Sequence, residues 1–381
     1  MNPTVLLVAT ATKWLGTARM PRDLDRAGWS VALLTPRGSL AERSRYVRKI
    51  GHLPDNAGPI EWVHAFAAMV KATSPRLAIP CDDTAFRLMQ QLVVNPPETM
   101  QSVLHLQIAT LIADSLGDPA HYRASVDKTM MCPAAQAAGV RVPPYTLIST
   151  AAEAMPFAAT HGWPVVLKRS HSSAGDGVAI CGDQIELTRE FVRLMEAKSL
   201  NLDDSDRRRL LVQAYIPGRT RYFAGTAWRG SLLCGYAVDK LEGEPKGPAS
   251  VVRYFHSADL HDSAEKLAAA FGATGIFAPE YVVHERTGEA YLVEINRRIT
   301  PGTHRGEFMN LDTGAALFAA LQGSSLTTRT RLDDDEERIF VSFPHEWLRD
   351  PESRYLRDYP VDVPWDDPEL IEAMLAMRHE R

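Results

Sequence analysis

Glu280, Glu294 and Asn296 fall within G-I-F-A-P-E-Y-V-V-H-E-R-T-G-E-A-Y-L-V-E-I-N-R-R, Gly275 to Arg298, which reads as two strands turned at Arg286-Thr287-Gly288. Side chains at i and i+2 of a strand share a face, so Glu294 and Asn296 project together while Glu280 sits on the paired strand. Three oxygen donors on one face, two of them carboxylates, suit a hard octahedral cation that shares its other positions with a substrate's phosphates. A solvated strand face would carry the same acids.

Basic residues surround this face in the sequence. Arg297 and Arg298 follow the acids directly, Asp127-Lys128 opens an upstream segment, and W-P-V-V-L-K-R, Trp163 to Arg169, is an apolar run ending in Lys168. S-H-S-S-A-G-D-G-V, Ser170 to Val178, then forms a loop of small residues. Glycine lets successive backbone N–H groups turn toward a bound anion and approach it closely. Two lysines, such a loop and a divalent-metal face together describe a nucleoside triphosphate clamp. For Lys168 the plain alternative is an amine snorkelling from the end of a buried strand.

In order and spacing these pieces resemble the ATP-grasp superfamily, over about Leu116 to Gly323. The resemblance implies that Lys128 and Lys168 bind phosphates, with Ser173, Gly175 and Gly177 in the phosphate loop and His171 aiding or capping it. L-L-V-Q-A-Y-I-P-G, Leu210 to Gly218, matches the strand and hinge that hold adenine, through Gln213, Ala214, Tyr215 and Ile216. Leu292, two residues before Glu294, is expected on the same face as an apolar floor beneath adenine or as core packing. Magnesium, or alternatively manganese, would be held by Glu280, Glu294 and Asn296. Lys168 and Arg298 would be the catalytic cations, Arg298 steadying the γ-phosphate. Arg253, His304 and Arg305 are the candidates for contacting substrate, Arg253 or Arg305 by a fork of N–H donors on a carboxylate. The chain departs from the family in lacking an acid at Gln213 or Ala214 and a glutamate near Thr220. The implied activity is an ADP-forming ligase that activates a small-molecule carboxylate as an acylphosphate and joins it to an amine. A phosphotransferase of the same fold, or a nucleotide-binding regulatory protein without turnover, are the alternatives.

The elements that must position these groups are of mixed α/β and α+β class. Thr4 to Thr10, Ser30 to Thr35 and Leu77 to Pro80 read as buried parallel strands, and Ala18 to Ala27 as a helix ending at Gly28. Residues 1–115 are therefore expected to form an N-terminal doubly wound α/β domain, and the resemblance implies a two-lobed ATP-grasp core after it at 116–330, with lobes of about 116–215 and 216–330. Residues 331–381 form a C-terminal extension to which no chemistry is assigned. The first turn, Ala9 to Ala18, has one glycine and fails the dinucleotide fingerprint. Asp82 and Asp83 follow a strand end, where they cap a helix or touch a substrate amine or hydroxyl. Pro133 disfavours a helix interior, so a helix is expected to restart there with Cys132 as its cap.

Across 381 residues the net charge is −5, which gives no footprint for nucleic acid; small anionic substrates remain open to a local basic cluster. Cys81, Cys132, Cys181 and Cys234 are scattered, with no C-x-x-C pair, which fits a reducing compartment. The N-terminal run V-L-L-V-A-T-A is too short to span a membrane and lacks a preceding basic region. The expectation is a cytoplasmic enzyme of small molecules, without nucleic-acid or membrane partners; a homodimer is the commonest assembly for such chains.

Overall fold

Residues 2–96, 102–170, 177–196, 209–243, 248–326 and 329–377 are described by the computed structural model of the protein. The chain opens with β1 (Thr4–Val8), α1 (Leu15–Arg26), β2 (Ser30–Pro36), β3 (Val47–Leu53), α2 (Pro59–Thr73), β4 (Leu77–Pro80), α3 (Asp83–Val94) and α4 (Ser102–Leu116). Its strands form a parallel sheet in the order β3-β2-β1-β4. Both faces of β1 are buried: Val5 and Leu7 pack in one core with Leu24 and Trp29, Leu6 and Val8 in another with Phe66, Phe86 and Ile112. A parallel strand covered by helices on both sides needs such a continuous apolar run. β3 and α2 extend this unit through a region of weaker periodicity.

Gly117 ends α4 and carries the chain into the core. Its φ is +97°, and a Cβ there would lie 2.0 Å from the Gly272 carbonyl oxygen, so only glycine permits the close crossing to the strand-like bridge with Ala273.

The first lobe contains α5 (Lys128–Ala137), β5 (Tyr145–Ile148), α6 (Met155–His161), β6 (Val165–Arg169), β7 (Val178–Cys181), α7 (Gln184–Glu196) and β8 (Leu210–Ala214), its antiparallel sheet ordered β5-β8-β6-β7. The expected restart at Pro133 does not occur. α5 begins at Lys128, capped by the Asp127 carboxylate, which accepts from Thr129 N at 2.9 Å, and runs through Pro133. A satisfied N-cap and a tertiary bond from Lys128 N to Ser170 O outweigh the one helix bond that proline removes.

The second lobe is built from β9 (Gly218–Trp228), β10 (Ser231–Gly243), β11 (Ala249–Phe255), α8 (Ala258–Ala270), β12 (Gly275–His284), β13 (Ala290–Asn296), α9 (Thr313–Gln322) and β14 (Glu337–Val341). These strands make one sheet ordered β13-β12-β9-β10-β11-β14, with α8 packed on one face and α9 on the other. β14 comes from the segment expected as a separate extension. It pairs antiparallel with β11 and buries Phe340 and Val341, so the sheet crosses the expected boundary at 330. The chain then continues through α10 (His345–Arg349), α11 (Arg354–Asp358) and α12 (Pro368–Ala376), with Leu370 and Met374 of α12 joining the core beneath β1. All four cysteines are buried and free. Among the described residues no helix is long and apolar enough to cross a membrane.

Candidate active site

Antiparallel pairing of β12 with β13 places Glu280 directly opposite Glu294 and Ala278 opposite Asn296. The three expected oxygen donors thus share one face of the sheet. Tyr222 of β9 stands opposite Glu280 on the other side, so its ring borders the acids, and burial together with the two glutamates pushes its hydroxyl's pKa up. No motif singled out Tyr222; its only signal was strand register, which requires the pairing to be known.

Lysines from the first lobe meet this acidic face. Lys128 and Lys168 are 3% and 7% exposed, and Lys128 Nζ lies 3.5 Å from Glu294 Oε2. Burial, then the neighbouring Lys128 charge, pushes Lys168 down to about 8. Burial, then the facing Glu294, pushes Glu280 up to about 7. The lysines and carboxylates balance each other in number, but each set holds two like charges side by side, which repel. A polyanion with a divalent cation is the ligand that balances both sets, and the oxygen-only donors Glu280, Glu294 and Asn296 suit a hard cation such as magnesium.

Gln213 lies at the end of β8, two residues from Leu211, which is opposite Lys168; alternation therefore puts Gln213 on the lysine face. It is 2% exposed, its Nε2 donates to Cys132 Sγ at 3.5 Å, and Oε1 has no partner. Beyond it, Ala214 N donates to Pro144 O at 2.9 Å, Tyr215 is exposed and Ile216 is half-buried. Gly177 O accepts from Arg169 N and closes the base of the small-residue loop. His171, Ser173 and Gly175 lie outside the described residues.

Arg298 leaves the end of β13 toward the N-terminal domain. Its Nε and Nη2 lie 3.2 and 3.3 Å from the two carboxylate oxygens of Asp83, and its guanidinium sits 5.1 Å over the Trp14 ring. Asp82 takes the capping role: it accepts from Ala85 N and also holds Thr10 N, Thr10 Oγ1 and Ala11 N. Arg297 is buried between Phe86 and Phe277 and donates to Leu116 O and Thr274 O, which pins the strand end to the N-terminal domain.

Four expected site residues are placed elsewhere. Leu292 is fully buried, because a bulge between Glu280 and Tyr281 shifts the ladder so that Leu292 stands opposite Tyr281, in the core with Phe277 and Ile295. It therefore lies on the face opposite Glu280 and Glu294. Arg253 stands in register with Asp239, Arg221 and Tyr281, and since Tyr281 is adjacent to Glu280 this row lies on the opposite face of the sheet. There Arg253 is bound to Asp239 and, at 3.2 Å, to Glu337. His304 and Arg305 are buried and committed to the C-terminal segment. Arg305 donates to Asp362 Oδ2 at 2.6 Å, Tyr254 OH at 3.0 Å and Ser342 Oγ at 2.6 Å, and His304 Nε2 lies 3.0 Å from Asp362. Burial opposes ionisation of Asp362, yet Arg305, Arg19 and His304 hold its carboxyl well below the usual range. These residues join the extension to the core rather than facing a cleft.

Three layers, an N-terminal α/β unit and two lobes with lysines facing acids, define an ATP-grasp fold. Comparison with known proteins agrees. Residues 127–218 match the family described as carbamoyl-phosphate synthase L chain, ATP binding domain. A curated relative, the N-terminal section of the carbamoyl phosphate synthase large chain of Methanopyrus kandleri, is 24% identical over 163 residues, covering 40% of this chain and 28% of its own length. The chain thus spans little more than a quarter of that relative. Among solved structures, the biotin carboxylase–β,γ-ATP complex from Campylobacter jejuni superposes with a TM-score of 0.67 at 15% identity, over 89% of this chain and 75% of that one. Carboxyaminoimidazole ribonucleotide synthase from Aspergillus clavatus, complexed with ATP, superposes with a TM-score of 0.62 at 15% identity, over 89% and 81%.

Proposed function

We propose that the protein is an ADP-forming ligase that activates a small-molecule carboxylate as an acylphosphate and joins it to an amine. The observation that carries this reading is the approach of Lys128 to Glu294, with the buried Lys168 and the half-buried Glu280 beside them. Solved neighbours in complex with β,γ-ATP, ATP and magnesium ADP support it.

In this reading ATP lies between the lobes. Lys128 and Lys168 neutralise its α- and β-phosphate oxygens, and Gln213 to Ile216 border the base. Glu280, Glu294 and Asn296 would hold the divalent cation, which supplies charge neutralisation at the β- and γ-phosphates. A substrate carboxylate oxygen attacks the γ-phosphorus and ADP leaves; the amine nitrogen then attacks the acyl carbon and phosphate departs. Transfer of this kind depends on positioning and electrostatic neutralisation, which a set of buried cations provides. Arg298, which follows the acidic strand and is paired with Asp83, is assigned to the γ-phosphate in this reading.

Small-molecule carboxylates and amines are the partners this reading implies, and a homodimer the assembly. Four buried free thiols accord with a reducing cytoplasm. The test is magnesium-dependent ADP release screened over carboxylates paired with amines. Release requiring both substrates is expected. Turnover that needs only an acid would indicate the phosphotransferase, and nucleotide binding without turnover the regulatory protein; either would overturn the ligase reading.

A further inference from the structure

The strand order β3-β2-β1-β4 means that the chain winds outward from β1 in one direction and then returns to β4 on the other side. Such a reversal opens a crevice between the loops that follow β1 and β4, at the carboxyl edge where open α/β sheets bind ligands. Here the first loop is anchored by Asp82, whose carboxylate is fully engaged by Thr10, Ala11 and Ala85. Asp83, the next residue, is 36% exposed at its side chain and faces Arg298. Trp14, from the first loop, lies under the same guanidinium, and its indole is fixed by Nε1 donating to Ile299 O at 3.0 Å. A carboxylate beside an aromatic face is a binding box for a cation. An internal arginine fills it at 3.2–3.3 Å, longer than the 2.7–2.9 Å usual for tight charge-assisted pairs, and the carboxylate stays partly open to solvent.

We propose that Asp83 and Trp14 form the seat for a cationic ammonium group of the amine substrate, distinct from the uncharged nitrogen that attacks the acyl carbon, and that Arg298 serves as its exchangeable internal occupant. The inference rests on the ligase reading, in which Arg298 belongs at the γ-phosphate. While Arg298 is shared with Asp83, its charge is diverted from the triphosphate. An ammonium group on Asp83 releases it, so full stabilisation of the phosphoryl group arrives together with the amine. Asp83 is thus a positioning residue that acts through Arg298, and it makes ATP consumption conditional on the acceptor.

Calorimetry with magnesium and either ADP or the non-hydrolysable AMP-PNP tests this, because only AMP-PNP carries a γ-phosphate. Asp83→Asn should raise the AMP-PNP-to-ADP affinity ratio about tenfold, the scale of one charge-assisted contact. Asp83→Glu should restore the wild-type ratio, and Asp83→Asn combined with Arg298→Gln should cancel the gain. Methylammonium chloride, a minimal cation probe, should raise the ratio in the wild type relative to sodium chloride of equal ionic strength, and leave Asp83→Asn unchanged. ADP binding with an unaltered ratio in Asp83→Asn overturns the inference alone. Loss of ADP binding by that variant would do so too, since it would show Asp83 to be structural. A methylammonium effect that persists without the Asp83 carboxylate overturns the ammonium seat. Failure of the wild-type protein to bind either nucleotide overturns both the inference and the ligase reading beneath it.

Discussion

Glu280 and Glu294 face each other across the β12–β13 ladder, with Lys128 and Lys168 as the buried counter-charges from the opposing lobe. Like charges directly opposed on a ladder destabilise it, and a buried acid beside another is held only by what neutralises it. The pair is therefore held at some cost to the fold, as the metal-binding role proposed for it would require.

Glu280→Gln should separate those two effects. The neutral isostere removes the opposition, so the nucleotide-free protein should melt at the same temperature or higher, by an increment on the order of 1 kcal/mol. Magnesium-dependent ADP formation should fall by at least about a hundredfold, the scale of losing one preorganised electrostatic group. Thermal denaturation and an ADP-release assay check the two halves. A variant that melts far below wild type would show Glu280 to be a structural anchor of the hairpin.

Gln213 offers a second probe. Its buried Oε1 is an acceptor without a donor, while its Nε2 is oriented by Cys132. An unmet buried acceptor costs about 1–3 kcal/mol, so Gln213→Leu should leave the protein as stable as wild type or more so. If Oε1 receives the 6-amino group of adenine, the same variant should lose most of its preference for ATP over inosine triphosphate, which carries an oxygen there. Equal preference ratios in variant and wild type would remove Gln213 from base recognition.

How far these features were legible in the sequence depended on their range. Glu294 and Asn296 share a face by strand period alone, and Lys168 marks the end of an apolar run, so local pattern located them. Leu292 follows the same period, but a bulge next to Glu280 put it on the opposite face, and nothing in the composition of β13 announces a bulge. Arg253 was misplaced because its face depends on pairing through β10 and β9 to β12, three strands away. His304 and Arg305 follow the metal strand closely, which made them look like cleft residues. Their partner, Asp362, lies nearly sixty positions on, in a segment without a readable motif. Arg298 follows the acidic strand by sequence order alone, but its pairing with Asp83 and Trp14 comes from the N-terminal fold, which no local pattern in either segment signals.

Asp362 ties the C-terminal segment to the core through Arg305 and His304, and also accepts from Phe343 N at 2.6 Å. Asp362→Ala would strand the buried Arg305 guanidinium. Removing one member of such a pair costs about 3–5 kcal/mol. Urea denaturation should show that loss, whereas nucleotide affinity of the folded fraction should stay within about twofold if the cluster is structural, since such a change is under half a kcal/mol. A large change in substrate KM at unchanged stability, in this variant or in Arg305→Met, would return Arg305 to the substrate site.

His304 should give the same cluster a pH signature. Burial, then the Arg19 charge, pushes its pKa from 6.5 down to about 3. Below pH 6.5 the unfolded chain binds a proton that the folded protein does not take up until about pH 3. The unfolded state binds more protons through that window, so stability rises with pH and is lost on acidification. For this one group the slope approaches 1.4 kcal/mol per pH unit. The depressed Asp362 carboxyl acts only below its ordinary value of 3.8, so it does not contribute at pH 5 to 6.5. Urea unfolding of wild type and His304→Gln at about pH 7.5, 6, 5 and 4.5 should give a shallower acid slope in the variant, by as much as one proton. Parallel slopes would mean that His304 takes up its proton in the folded protein, and that the cluster can open to water.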